Sequence, residues 1–258
     1  MKNKISVIKI GGNIIDNEKA LDSFLIDFAK IDNTKILIHG GGKIATKIND
    51  KLGIKTIMND GRRITSEENL DTVIMVYAGL INKKIVGKLQ GKKCNALGLS
   101  GSDGNCILAE KRPTSPIDYG WVGDVKTINS SLIKLFLSHG ITPVFCAISH
   151  DGNGQLLNTN ADTIASEIAI AMSKHAETEL IYCFEKKGVL SDISDEDSII
   201  EHINYNQYLK LKENNTINEG MLPKMDNCFN ALNNKVSKVC IGHANMINGN
   251  EICTTLTL

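Results

Sequence analysis

The sequence has no net charge, no cysteines paired at metal or redox spacing and no long apolar run, and each absence removes a class of function. Lys and Arg together number 29, as do Asp and Glu, so the 258-residue chain has a formal net charge of zero. It has no global positive field to gather nucleic acid or an anionic membrane, and the expected partner is a small molecule. The seven cysteines, at 94, 106, 146, 183, 228, 240 and 253, form no C-x-x-C pair, and no histidine stands at zinc-finger spacing. They read as reduced thiols of a reducing compartment. No apolar run approaches the roughly 20 residues of a membrane helix, and the opening MKNKISVIKIGG is too briefly apolar for a signal peptide. A soluble, cytoplasmic protein is expected.

What is present is a series of short Ile- and Val-rich runs separated by segments of helical spacing, the pattern of a parallel sheet covered by helices. The fold class expected is α/β. Strands are predicted at Ile5 to Ile10, Lys35 to His39, Ala96 to Ser100, Pro143 to Ile148, Leu180 to Phe184 and Val236 to Ile241. Thr65-x-x-Glu68 reads as a capping box opening a long helix through Leu70, Val73, Ile74 and Tyr77. A second helix starts at Asn160 or Asp162, and a third near Pro223, since proline suits a first helical turn. Asn59-Asp60-Gly61 signals a hairpin. No Pro- or Ser-rich linker marks a boundary, and the polar stretch Ser173 to Glu179 is the candidate junction.

Four segments carry chemistry. The first strand ends in Lys9-Ile10-Gly11-Gly12-Asn13, where paired glycines let backbone amides approach an anion and the lysine adds a cation; a strand ending in Gly-Gly is also the mark of a plain tight turn. The second ends in His39-Gly40-Gly41-Gly42-Lys43, bare backbone at the strand edge where α/β sheets bind ligands. It is neither a P-loop nor a dinucleotide fingerprint, and packing is the expected role of His39. Asn158-Thr159-Asn160-Ala161-Asp162 sits at a helix start and serves either as a cap or as a ligand contact. Gly220-Met221-Leu222-Pro223-Lys224 puts a lysine in a first helical turn, which the helix dipole disfavours unless an anion faces it.

These segments, in this order over nearly the whole chain, resemble the amino acid kinase family, and most closely its acetylglutamate kinases. Asp60-Gly61-Arg62-Arg63-Ile64-Thr65, Gly98-Leu99-Ser100-Gly101-x-Asp103-Gly104 and Tyr119-Gly120-x-x-Gly123-Asp124-Val125 add to the match. The resemblance implies a three-layer sandwich with a largely parallel central sheet, an acyl-glutamate-binding and dimerisation lobe at 1–175 and an ATP-binding lobe at 176–258. It implies phosphoryl transfer from ATP to a carboxylate that is already ionised at neutral pH and so needs no base. Lys9, Lys224 and Asp162 are the implied catalytic residues, the aspartate orienting the two ammonium groups. Gly41, Gly42, Arg63 and Asn158 are implied to bind the acyl-glutamate, and Gly11, Gly12, Glu185, Gly188 and Leu190 the nucleotide.

Magnesium is expected with ATP, held mainly by the phosphates, and no protein metal ligand is nominated. The chain departs from the family at Phe184-Glu185-Lys186-Lys187-Gly188, where relatives usually carry Thr or Ser before Asp-Val-x-Gly. A first strand beginning by about Ile5 leads to the expectation of a simple homodimer insensitive to arginine. Two other readings stand beside the N-acetyl-L-glutamate kinase: an N-succinyl-L-glutamate kinase, and a non-catalytic nucleotide- or amino-acid-binding sensor of the same fold.

Overall fold

The computed structural model describes residues 4–59, 61–192, 194–214, 221–249 and 251–258. Asp60 of the hairpin signal and Gly220 of the lysine segment lie outside the described residues. In chain order the elements are β1 (Lys4–Ile10), α1 (Gly12–Asp16), α2 (Glu18–Lys30), β2 (Thr34–His39), α3 (Gly42–Leu52), β3 (Ile57–Asn59), β4 (Arg62–Ile64) and α4 (Glu67–Ile74). A π-helical stretch, Met75–Ile81, joins α4 to α5 (Asn82–Gln90). There follow β5 (Ala96–Leu99), β6 (Ile107–Lys111), β7 (Val122–Ile128), α6 (Ser130–Ser138), β8 (Thr142–Cys146), β9 (Ile148–His150), β10 (Leu156–Thr159) and α7 (Ala161–Ser173). The chain closes with β11 (Glu177–Phe184), β12 (His202–Asn204), α8 (Tyr205–Glu213), α9 (Leu222–Asn233), β13 (Lys238–His243) and β14 (Thr254–Thr257).

These elements form two compact units, Met1–Ile36 with Ala165–Leu258, and Leu37–Ile164. The lobes expected from sequence divide the chain once, after 175, whereas the compact units divide it after 36 and after 164. The reason is strand pairing: β1 runs parallel to β11, from Lys4 opposite Glu177 to Ile10 opposite Cys183, which ties the first residues to the C-terminal part of the chain.

In the first unit the strand order is β12-β14-β13-β11-β1, with β14 antiparallel to β13 and the other pairings parallel. Val7, Ile8 and Ile10 are fully buried, as a strand covered on both faces requires. Polar groups inside are paired: Ser6 donates to Glu179 at 2.7 Å, and Lys4 meets the same carboxylate at 2.8 Å. Lys35 donates to the Ala29 and Ile31 carbonyls at 2.9 and 2.8 Å, satisfying the C-terminus of α2.

In the second unit β2, β8 and β5 lie side by side and parallel, while β10, β7, β6 and β9 close into a small barrel. β3 and β4 form the expected antiparallel hairpin, with Asn59 opposite Arg62. The fold is α/β, with sheet strands that run largely parallel.

Local corrections follow from side-chain competition. The helix expected to open at Thr65 is capped instead by Ser66, whose hydroxyl accepts from Asn69 N–H. The Thr65 hydroxyl is engaged elsewhere, accepting from Asn158. The run expected as one strand from Pro143 to Ile148 breaks after Cys146 into β8 and β9, and the last predicted strand is shifted two residues, to Lys238–His243. All seven cysteines are free, and six are buried.

Candidate active site

In the first unit the candidate residues gather at the carboxyl ends of β1 and β11. Lys9 is the penultimate residue of β1, paired in register with Tyr182. Gly11 follows, its N–H donating to the Cys183 carbonyl at 2.9 Å, and a side chain there would press on that same carbonyl at 3.3 Å. At Gly12, which opens α1, an added Cβ would meet nothing within 4 Å, so its backbone is open to approach. Burial pushes the Cys183 thiol above its ordinary pKa, against the pull of the Lys9 ammonium.

Lys224 stands in the first turn of α9, where a proline precedes it. Its ammonium lies 4.8 Å from the ring centroid of Phe184 and 6.0 Å from that of Tyr182. Aromatic faces thus stabilise a cation that the helix dipole disfavours. Lys9 and Lys224 therefore attend the same stretch of β11, one in register with Tyr182 and the other over its ring.

Beyond β11, Glu185 is exposed and Gly188 and Val189 are buried. A Cβ at Gly188 would come within 2.6 Å of Thr254 Oγ1 and 2.9 Å of Ile199 Cγ2, so only glycine fits. Leu190 pairs with Ile199 in an antiparallel bridge.

In the second unit the glycine loop follows β2. Gly41 has φ +155° and caps α3, and a side chain there would collide with Ile81 and lie 3.0 Å from the Tyr77 ring. His39 beneath the loop is fully buried; its Nδ1–H donates to the Gly40 carbonyl at 2.8 Å and its Nε2 accepts from Asn82 at 3.0 Å. Burial holds it neutral, with a pKa lowered to about 4. Packing is therefore its role, as expected.

Arg63 is buried beside this loop. Its guanidinium donates to the Gly42 carbonyl at 3.0 Å, Thr46 Oγ1 at 2.7 Å, Thr56 Oγ1 at 3.1 Å and Asn69 Oδ1 at 3.4 Å. Burial pushes the Tyr77 phenol above its usual pKa, against the pull of the Arg63 cation nearby. Asn158 donates to Thr65 Oγ1 at 3.0 Å, and Thr65 in turn pairs with the Tyr119–Trp121 segment through its backbone. The helix start is settled in favour of Asn160, whose side chain accepts from Asp162 N–H at 2.8 Å and Thr163 N–H at 3.1 Å. Asp162 then stands in the first turn of α7. A Cβ at Gly40 would lie 3.8 Å from that of Ala161, so the glycine loop and the α7 start are neighbours.

Sequence reasoning missed the residues that hold Arg63. Asn69 is buried and joins Asn49, Arg63, Ser66 and the Lys55 carbonyl. A signal existed, because Asn69 falls with Val73, at i and i+4, on the buried stripe of α4.

A family model described as the amino acid kinase family matches residues 4–243. The chain belongs to that family. Among other amino acid kinase family members, it is 54% identical over 257 residues to a protein of Cytophaga hutchinsonii named acetylglutamate kinase, covering 98% of this chain and 97% of the relative. A Bacteroides fragilis protein of the same name is 49% identical over 247 residues, with 96% and 95% covered. The crystal structure of smu.665 from Streptococcus mutans UA159 superposes with a TM-score of 0.82 at 26% identity, covering 100% of this chain and 99% of that one.

Proposed function

We infer that the chain is a kinase that transfers the γ-phosphoryl group of ATP to the γ-carboxylate of N-acetyl-L-glutamate, giving N-acetyl-L-glutamyl 5-phosphate in arginine biosynthesis. The observation that carries this reading is 54% identity over 98% of the chain to a protein named acetylglutamate kinase. The geometry within each unit supports it. The first unit brings two lysines and open glycine backbone to the end of β11, the equipment for a polyphosphate. The second presents a buried guanidinium beside a glycine loop, the equipment for a carboxylate.

The acceptor is its own nucleophile, since a glutamate side chain is ionised at neutral pH. Catalysis is then positioning and charge neutralisation for in-line transfer. Lys9 is assigned to the phosphoryl group in transit and Lys224 to charge on the leaving side, with Gly12 as a backbone donor; the Gly11 N–H is taken by the Cys183 carbonyl, so Gly11 is assigned to close backbone approach rather than to donation. Gly41, Gly42, Arg63 and Asn158 are assigned to the acyl-glutamate, Arg63 facing its α-carboxylate. Asp162 is assigned as the catalytic carboxylate. Magnesium in this reading travels with ATP and is held mainly by its phosphates. Among the described residues no helix is long and apolar enough to cross a membrane. A cytoplasmic homodimer completes the proposal.

The test is ADP release with Mg-ATP and, in parallel, N-acetyl-L-glutamate, N-succinyl-L-glutamate, free glutamate and aspartate. Turnover is expected with N-acetyl-L-glutamate. Preference for the succinyl compound or a free amino acid would replace the acceptor, and ATP left intact in every arm would remove the enzyme reading.

A further inference from the structure

The segment leaving β11 carries two adjacent lysines, Lys186 and Lys187, and both are engaged. Lys186 Nζ donates to Glu196 Oε1 at 2.5 Å, and Lys187 Nζ to Asp197 Oδ1 at 2.6 Å. The side chains reach solvent, with Glu196 70% and Asp197 84% exposed. The hydrogen bond to Asp197 raises the Lys187 pKa, and the bond from Lys186 lowers that of Glu196. Exposed ion pairs of this kind contribute little to stability, so a more highly charged partner exchanges into them readily.

The backbone on both sides is tethered. Val189 N–H donates to Thr254 Oγ1 at 2.8 Å, Ser191 N–H to the Ser198 carbonyl at 2.9 Å, and Ile200 N–H to the Val189 carbonyl at 2.9 Å. Within the acidic turn, Asp195 Oδ1 accepts from Asp197 N–H at 2.9 Å. Exchange of partners therefore asks only for side-chain rotation. The setting favours an anion: the same strand carries the Lys224 ammonium over Phe184 and lies in register with Lys9. Ligands of open α/β sheets bind at the carboxyl ends of the strands, which is where this segment begins.

We propose that Lys186 and Lys187 bind the phosphates of the nucleoside triphosphate, and that Glu196 and Asp197 are competing carboxylates that the triphosphate displaces. The proposal rests on the reading of the chain as an ATP-dependent kinase and identifies which residues set its affinity for the nucleotide. It gives the two halves of each ion pair opposite signs. Lys186→Gln and Lys187→Gln weaken binding of a non-hydrolysable ATP analogue about five- to tenfold each. Glu196→Gln and Asp197→Asn tighten it roughly two- to fivefold.

The experiment is isothermal titration of the full chain with that analogue and with adenosine, alongside the KM values for ATP and N-acetyl-L-glutamate. Opposite shifts for lysine and carboxylate variants, seen with the analogue and absent with adenosine, are expected. Weaker binding in all four variants would reduce the pairs to a staple for the loop, and unchanged binding in all four would remove the lysines from the nucleotide; either overturns the proposal. The kinase reading fails separately, through a wild-type chain that consumes no ATP, and the titration still decides the role of the lysines in that event.

Discussion

Arg63 is buried and its guanidinium is held by Gly42, Thr46, Thr56 and Asn69, whereas Lys186 and Lys187 reach solvent and each meets one exposed carboxylate. The second unit fixes its cation in advance, so recognition there depends on shape, and a planar fork serves that purpose. The first unit leaves its outer cations adjustable, so attraction there depends on charge that screens and exchanges. In the proposed function the preset cation is assigned to a carboxylate of the acyl-glutamate and the adjustable ones to the polyphosphate.

The comparison breaks first at Lys9, which belongs to the adjustable unit but is set on a strand. Lys9→Met should lower kcat on the order of 10²-fold or more while leaving the circular dichroism unchanged. A loss under tenfold in both Lys9 and Lys224 variants would show that no fixed cation is needed and would sink the transfer mechanism.

His39 tests the preset side through pH. Its folded pKa, about 4, lies below the ordinary 6.5 because of burial. Its contribution is therefore complete above pH 6.5 and is lost as pH falls from there towards 4, by about 3 kcal/mol in all. Urea melts at pH 7 and pH 5 should show this slope in the wild type and a shallower one in His39→Gln. Identical slopes would mean that burial does not hold the His39 ring neutral.

Arg63→Lys keeps the charge and discards the fork. The KM for N-acetyl-L-glutamate should rise roughly 10- to 100-fold with the ATP KM little changed; a rise under twofold would make charge alone sufficient and erase the contrast. The smallest effect is that of salt. Raising KCl tenfold, from about 50 to about 500 mM, should raise the ATP KM roughly two- to fivefold and the acceptor KM less. Equal sensitivity would place both cation sets in the same class.

The sequence made the parallel strands legible because β1, β2 and the second half of β11 read as short, largely apolar runs, ISVIKI, KILIH and LIYCF, whereas the polar start of β11, Glu177 to Glu179, carries no such signal. It concealed the barrel strands: β7, with Lys126 and Thr127 exposed, and the three-residue β9 present no apolar run to find. The glycines of the candidate site were visible because Gly-Gly at a strand end has few explanations. The partners of Arg63 were not, since Thr46, Thr56 and Asn69 are polar residues, two of them only half-buried, and lie on helices and a loop 6 to 17 positions away that no local spacing ties to Arg63. Adjacent hydroxyls at Thr65 and Ser66 show the same limit: local spacing nominates a cap, but Asn158, 93 positions away from Thr65, takes one hydroxyl and leaves the other for the helix.

The register of β1 against β11 also bears on how the chain acquires its structure. Ser6 and Glu179, joined by a buried hydrogen bond, are 173 positions apart. During synthesis at about 5–20 residues per second, that partner arrives many seconds after the first strand has left the ribosome. Leu37–Ile164 is continuous and needs no later segment for its internal contacts, so it can condense first. Over that interval KISVIKI waits with its β11-facing edge unpaired, apolar and rich in β-branched residues, the kind of edge that recruits wrong partners. The lysines at its two ends, Lys4 and Lys9, which later serve the ion pair with Glu179 and the candidate site, are also the charges that keep it soluble until β11 arrives.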